Sequence, residues 1–305
     1  MKFLILSFGS RTHIFFKTLL TLTCCLAFYD TACAFYIVHQ KDIFKGKPRV
    51  AILANDPRDD ESGDRRERLV NLLTRLGAKV EVIPLNWWAY KSQAQVTAYM
   101  DLVSEQFDLL MALGGDDIHP ALYNEKINGA IAPRLTRDFY ELKLIRHFKK
   151  NSKGVFFGIC RGHQLGAVAE GARLIQHIEN HGYTTGQVYH QIQWTHPLLA
   201  RLWEASSESR KVLVNSYHHQ AVENHSVQKN PRLQVGAISS EDQVIEALIS
   251  TDLRSISLQF HPEFPVSLSG NSEFSKQGEQ FLKNLLNWTR LTRMRSRSCH
   301  FVFAN

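Results

Sequence analysis

The segment Gly154–Gly166 constrains the fold more than any other part of the chain. It reads Gly-Val-Phe-Phe-Gly-Ile-Cys-Arg-Gly-His-Gln-Leu-Gly, an apolar strand-like run followed by a helix-like segment, with Cys160 at the junction. Glycines two residues to either side, Gly158 and Gly162, are typical of a tight strand-to-helix turn that leaves no room for Cβ atoms. At a helix N-terminus, unpaired N–H groups and the helix dipole favour a thiolate over a thiol. The pattern predicts a nucleophile elbow with Cys160 as the nucleophile; a buried, inert cysteine is the alternative.

The order of apolar segments predicts the fold class. Strand-like runs at 49–53, 79–84, 107–113 and 155–159 alternate with helical patterns at 69–76 and 137–149. Such alternation is typical of a parallel sheet covered by helices. Later segments are extended, and 233–238 with 243–248 resemble a hairpin. We therefore predict an α/β fold for residues 47–288: a single-domain, three-layer, open and mostly parallel sheet with helices on both faces.

Residues 1–34 have the layout of a secretory signal peptide. Basic residues precede an apolar stretch at 18–28, and Ala32-Cys33-Ala34 fits a small-residue cleavage site. We expect an exported protein, periplasmic or secreted, with no stable membrane span after cleavage. An uncleaved signal anchor and a wrongly assigned start, which would leave the protein cytoplasmic, are the alternatives.

The other end of the chain is basic. The formal net charge is +7, and four arginines crowd residues 290–297, so we predict a basic C-terminal tail at 289–305. The sequence has no zinc-finger spacing, RNA-binding aromatic signature or heptad repeat, which argues against nucleic-acid binding. Signal cleavage would leave only Cys160 and Cys299, too few for a disulfide framework.

A base and its orienting acid are expected at another strand end. His261 follows the strand-like run 255–260, and strand C-terminal ends line the ligand crevice in open α/β sheets. Glu263 could hold the second imidazole nitrogen, as the acid of a triad does. The oxyanion hole would combine the backbone N–H of Arg161 with the glycine turn Gly114-Gly115.

Three blocks of the sequence resemble those of the class I glutamine amidotransferase-like superfamily. They are 157–164 (Phe-Gly-Ile-Cys-Arg-Gly-His-Gln), 214–222 (Val-Asn-Ser-Tyr-His-His-Gln-Ala-Val) and 259–263 (Gln-Phe-His-Pro-Glu). Within that superfamily the chain most resembles the γ-glutamyl hydrolase branch, peptidase family C26, including γ-glutamyl-γ-aminobutyrate hydrolases. The resemblance implies a flavodoxin-like fold and a triad of Cys160, His261 and Glu263. It also implies hydrolysis of γ-glutamyl amides through a thioester on Cys160.

The resemblance implies further substrate contacts. His218, His219 and Gln220 would help to shape the γ-glutamyl pocket, while Arg161 and Gln164 could bind the α-carboxylate and α-amino ends of the substrate. For Arg161, a salt bridge that secures the turn is the alternative. Metal binding by His218 and His219 is disfavoured, because adjacent side chains of a strand point in different directions.

No metal and no cofactor is expected, and the only partner expected is a small γ-glutamyl substrate. A homodimer remains open, as does the identity of the leaving group. A glutaminase subunit that supplies ammonia to a partner synthetase is the alternative function. A non-catalytic binding protein on the same fold is a third.

Overall fold

The computed structural model describes residues 46–54, 64–181, 189–205, 210–264 and 272–301. All of these described residues belong to one compact unit. The predicted signal peptide, 1–34, lies outside the described residues. In the described ranges, no helix combines the length and the apolar character needed to cross a membrane.

The strands of the described residues are β1 (Arg49–Leu53), β2 (Lys79–Ile83), β3 (Leu109–Ala112), β4 (Val155–Ile159), β5 (Leu174–Ile175), β6 (Tyr189–Trp194), β7 (Lys211–Asn215), β8 (Ala221–Val222), β9 (Leu233–Ser239), β10 (Ile245–Ser250) and β11 (Ser255–Leu258). Nine of them form one mixed sheet in the order β2-β1-β3-β4-β11-β10-β9-β6-β7. The first five strands of this order are parallel, and the remaining pairings are antiparallel. Strands β5 and β8 pair separately. The α/β fold class is confirmed, and β9 with β10 forms the predicted hairpin.

Helices cover the sheet in two groups. They are α1 (Asp64–Arg75), α2 (Gln93–Gln106), α3 (Leu135–Asn151), α4 (Arg161–Ala169), α5 (Pro197–Leu202), α6 (Asn224–Gln228) and α7 (Ser272–Phe301). Helix α3 packs between α2 and α4, whereas α7 contacts α1 and α5.

Neighbouring residues of β4 show that the two helix groups lie on opposite faces. Phe156 belongs to the core cluster that contains Phe148 of α3. The next residue, Phe157, instead contacts Phe281 of α7, with ring centroids 5.7 Å apart. Because successive side chains of a strand alternate between faces, the sheet is a central layer between two helical layers.

The last helix runs past residue 288, where the basic tail was predicted to begin. Helix α7 continues to Phe301. Trp288 donates from Nε1 to the carbonyl oxygen of Leu253 at 3.2 Å, and the next residue, Thr289, is fully buried. Arg293 forms an ion pair with Asp108. The first residues of the predicted tail therefore pack on the domain, while the boundary itself stays a prediction.

Candidate active site

Cys160 occupies a strained turn between β4 and α4. Its backbone has φ 52° and ψ −109°, in the positive-φ region that residues with a Cβ rarely adopt. A Cβ at position 158 would lie 2.3 Å from the carbonyl oxygen of Gly162. One at position 162 would lie 2.1 Å from that of Ala112. Both glycines are therefore sterically required, which agrees with the elbow predicted from the sequence.

The elbow presents its thiol beside unpaired backbone donors. Cys160 is a free cysteine, 6% exposed, and its own N–H donates to the carbonyl oxygen of Leu258 at 2.8 Å. Arg161 is the first residue of α4, so its backbone N–H has no acceptor within the helix. An anion that forms next to Cys160 can accept from this N–H group.

His261 reaches the thiol from the neighbouring strand. It follows β11, which is parallel to β4 and pairs Leu258 with Ile159. Its Nδ1 lies 2.8 Å from Oε1 of Glu263, and the ring lies close enough to the side chain of Cys160 for the two to interact electrostatically. The imidazole thus lies between the thiol and the carboxylate.

The surroundings of His261 favour its protonated form. Burial alone would lower the pKa of this imidazole, but the charges of Glu263 and Cys160, and the hydrogen bonds to both, raise it to about 10. These surroundings therefore favour the imidazolium form of His261 at neutral pH.

Two residues that sequence reasoning did not single out fix the position of His261. Asn215 accepts from the backbone N–H of His261 at 2.8 Å and donates to its carbonyl oxygen at 2.9 Å. Phe264 stacks on the imidazole, with centroids 4.3 Å apart and an angle of 2° between the rings. The sequence block 214–222 contains Asn215. Its contact with the backbone of His261 depends on how the strands are arranged in the sheet, and the motif alone does not predict that arrangement.

The glycine turn after β3 packs against the imidazole. A Cβ at position 114 would lie 2.8 Å from Cε1 of His261 and 3.6 Å from Cβ of Cys160. The structure therefore brings Gly114, Cys160 and His261 together at the carboxyl ends of β3, β4 and β11, which are adjacent in the sheet.

A cleft of about 250 Å³ opens over these groups. Its walls are formed by Leu69, Leu113, Gly114, Gly115, Asp116, Cys160, Tyr217, His261, Glu263 and Phe264. Asp116 forms an ion pair with Arg134 at 2.5 Å, so a paired carboxylate and guanidinium lie at the glycine turn. Tyr217 belongs to the sequence block 214–222, from which no role was predicted for it.

Comparison with known proteins shows the family. Residues 48–263 match the family Peptidase C26. The chain belongs to the peptidase C26 family. It is 32% identical over 222 residues to the protein NtpR of Enterococcus hirae, covering 68% of this chain and 83% of NtpR. It is 28% identical over 208 residues to the glutamine amidotransferase-like protein YvdE of Lactococcus lactis, covering 65% and 80% of the two chains.

The fold also resembles a solved structure from Thermoplasma acidophilum that is described as one of the subunits of GMP synthase. The TM-score is 0.56 with 15% sequence identity, over 83% of this chain and all of that one, which shows the shared fold. As a member of peptidase C26 with such relatives, the chain is a hydrolase of the glutamine amidotransferase type.

The side chain of Arg161 does not reach the cleft of this C26 protein. It is 2% exposed, and its two terminal nitrogens lie 2.5 Å from Asp138 and 2.5 Å from Glu141 of α3. Burial alone raises the pKa of Glu141, but Arg161 and Arg137 lower it below its ordinary value. These two carboxylates bind the guanidinium, which is the arrangement of the salt-bridge alternative; a contact of Arg161 with a substrate carboxylate stays a prediction.

Gln164 is likewise occupied within the C26 core. Its amide nitrogen donates to the carbonyl oxygen of Gln220 at 3.0 Å and to Oε1 of Gln259 at 3.2 Å. The side chain is buried, and it joins the elbow helix to the segments that carry these two glutamines. Gln164 thus packs behind the elbow, and its contact with a substrate stays a prediction.

The His218-His219-Gln220 block lies behind the cleft rather than in its wall. His218 is buried near Glu246, whereas Nε2 of His219 lies 3.0 Å from Asp117. The two rings point to different partners, as expected for neighbouring residues. Gln220 accepts from the N–H of Ile118 at 3.0 Å. His219 and Gln220 support the loop after β3, and none of the three residues lines the cleft, so their role in shaping the pocket stays a prediction.

Proposed function

We propose that this chain is a cysteine hydrolase that cleaves γ-glutamyl amide bonds of small molecules through a thioester on Cys160. The observation that carries the proposal is the grouping of Cys160, His261 and Glu263 in the wall of one cleft at the glycine turn, with Glu263 bound to Nδ1 of His261. It supplies a nucleophile, a proton carrier and an orienting carboxylate, the groups that acyl transfer requires.

In the proposed first step, the Cys160 thiolate attacks the amide carbonyl carbon of the γ-glutamyl group. The backbone N–H groups of Arg161 and the turn at Gly115 donate to the oxyanion that forms. His261, protonated at the start, gives its proton to the amine nitrogen as the C–N bond breaks. The products are a free amine and a γ-glutamyl thioester on Cys160.

In the second step, water attacks the thioester. His261 is now neutral and takes a proton from the water molecule, while Glu263 continues to hold its Nδ1. The C–S bond breaks, glutamate leaves, and the proton on His261 restores the starting charge of the pair. No cofactor takes part in this scheme.

We propose that the ion pair of Asp116 and Arg134 binds the α-amino acid end of the γ-glutamyl substrate. The pair offers a carboxylate for an α-ammonium group and a guanidinium for an α-carboxylate, the latter with the planar geometry that suits such groups. The cleft of about 250 Å³ is below the usual range for drug-sized ligands and suits an acyl group of amino-acid size.

The test is hydrolysis of γ-glutamyl-p-nitroanilide by the wild type and by Cys160→Ser. The variant should keep its circular dichroism spectrum and lose turnover, because the hydroxyl is far less acidic than the thiol. Rapid quenching of the wild type should give a mass adduct of one glutamyl unit on the peptide that contains Cys160. Undiminished turnover in Cys160→Ser would contradict the proposal.

A substrate panel separates the hydrolase from the glutaminase alternative. γ-Glutamyl-γ-aminobutyrate, folyl-polyglutamate, glutathione and glutamine are incubated with the enzyme, and the products are identified by mass spectrometry. The proposal predicts release of an amine larger than ammonia. Turnover of glutamine alone would favour the glutaminase alternative.

A further inference from the structure

A buried group of three histidines and one glutamate lies outside the cleft. Glu246 of β10 is fully buried, and His190 of β6 is 3% exposed. His181 and His218 contribute from loops and are 3% and 6% exposed. From Oε1 of Glu246, the distances are 3.3 Å to Nε2 of His190, 3.6 Å to Nε2 of His218 and 3.9 Å to Nδ1 of His181. We call these four residues the histidine cluster.

The outer hydrogen bonds of two of these imidazoles fix which nitrogen carries the proton. Nδ1 of His218 lies 3.0 Å from the carbonyl oxygen of Gln220, which can only accept, so this nitrogen is the donor. Nε2 of His181 lies 2.7 Å from a carboxylate oxygen of Asp242, so it is likewise the donor. In the neutral rings, the inner nitrogens of His181 and His218 therefore carry lone pairs.

These lone pairs converge on a carboxylate, which is also an acceptor. Within the described part of the chain, Nε2 of His190, Nε2 of His218 and both carboxylate oxygens of Glu246 have no partner with hydrogen-bond geometry. Buried polar atoms without partners are rare in folded proteins because each loses its hydration. Nε2 of His218 and the carboxylate of Glu246 are thus acceptors that face each other, and a cation between them would satisfy both. Nδ1 of His181 also lies 3.4 Å from the hydroxyl oxygen of Ser216.

We propose that the histidine cluster binds a divalent transition-metal ion of the zinc class. Imidazole nitrogens and one carboxylate are the donors that zinc prefers. The donor atoms of His181, His190 and Glu246 lie within 4.8 Å of one another. His218 lies outside this three-residue group, but its Nε2 is 3.6 Å from Oε1 of Glu246, and in the proposed site it is the fourth ligand. Asp242 and the carbonyl of Gln220 correspond to the outer hydrogen-bond partners that orient the histidines of known metal sites.

The charge and coordination of this site point to a structural ion. Four protein ligands close a tetrahedral shell and leave no position for a substrate. His218 belongs to the segment 215–220, in which Asn215 holds the backbone of His261 and Tyr217 lines the cleft. The ion fixes this segment, so its removal should lower stability and disturb the position of His261.

The first test is the metal content of the intact wild-type chain, measured by inductively coupled plasma mass spectrometry after growth with zinc. About one ion per chain is expected, with a lower Tm after chelation and recovery on adding zinc but not magnesium. Cobalt(II) added to the stripped protein should give the intense visible bands of tetrahedral coordination. No bound metal, together with no change in Tm on adding zinc, would overturn the proposal.

Two variants locate the ion. Asp242 is exposed, so Asp242→Asn should fold, and it should weaken zinc binding by roughly 10- to 100-fold, the effect typical of outer partners. The adjacent Glu241→Gln is the matched control and should bind zinc like the wild type. Equal affinities for the two variants would contradict the assignment.

The thiol of Cys160 is the competing zinc ligand. Cys160→Ser should retain the full zinc content if the histidine cluster holds the ion. Loss of zinc in this variant would place the ion at the thiol and overturn the proposal. Because zinc content is read independently of turnover, failure here is separable from failure of the proposed hydrolysis.

Discussion

Gly114→Ala tests whether the glycine turn sets the position of His261. The added Cβ would lie 2.8 Å from Cε1 of the imidazole, where ordinary contact begins at 3.4 Å, so the ring must move back by about 0.6 Å. Asn215 holds the backbone of His261, and Phe264 stacks on its ring. The ring therefore cannot move without changing its distance and angle to the side chain of Cys160. A misplacement of about 1 Å can cost on the order of 100-fold in rate.

The expected result is a fall in kcat of roughly tenfold to thirtyfold, scaled from that relation, with little change in KM. The overpacking should cost about 1–3 kcal/mol of stability. The assay is hydrolysis of γ-glutamyl-p-nitroanilide over a range of substrate concentrations, with thermal unfolding of the same samples.

Gly77→Ala is the matched control. Gly77 has φ +93°, so alanine is strained there by about 1–2 kcal/mol, but its Cβ would meet only Nη2 of Arg290, at 3.8 Å. Both variants should lose stability, and only Gly114→Ala should lose turnover. Equal kcat values in the two variants would refute the steric argument.

Three further outcomes follow from the site. The folded-state pKa of His261 is about 10 against an ordinary value of 6.5, so its stabilising contribution is complete below pH 6.5 and declines toward pH 10. The free energy of unfolding should fall by up to ~1.4 kcal/mol per pH unit in that window. In Cys160→Ala the free energy of unfolding should fall less steeply with pH. An unchanged slope would contradict the pairing of His261 with Cys160. NMR titration of the His261 ring in Cys160→Ala should give a pKa below that of the wild type. Glu141→Ala leaves the buried Arg161 with one carboxylate fewer and should lower the free energy of unfolding by about 3–5 kcal/mol, as measured by urea unfolding. A loss below about 1 kcal/mol would show that the ion pair of Arg161 with Glu141 is dispensable.

The elbow was readable from sequence because its determinants are local. Gly158, Cys160 and Gly162 lie within five residues, and the requirement for Gly158 depends on the turn itself, whereas that for Gly162 also involves Ala112 of the neighbouring strand β3. His261 and Glu263 are also neighbours in sequence, and their strand-end position follows from the βαβ order. Short-range patterns of this kind carry their own geometry.

The environment of Arg161 was not readable, because its partners are distant. Asp138 and Glu141 lie 23 and 20 positions away on another helix, and only the packing of α3 against α4 brings them to the guanidinium. The histidine cluster is a stronger example. His181 and Glu246 meet through the antiparallel half of the sheet, whose strand order the sequence pattern did not specify.

The two hydrogen bonds of Asn215 have a consequence for heat inactivation. Asn215 ends β7, which is an edge strand of the sheet, and edge elements open more readily than central ones. When β7 frays, His261 loses both backbone contacts while the parallel half remains folded. Activity should therefore disappear several degrees below the main unfolding transition, and cooling should restore it as long as the centre of the sheet has stayed intact.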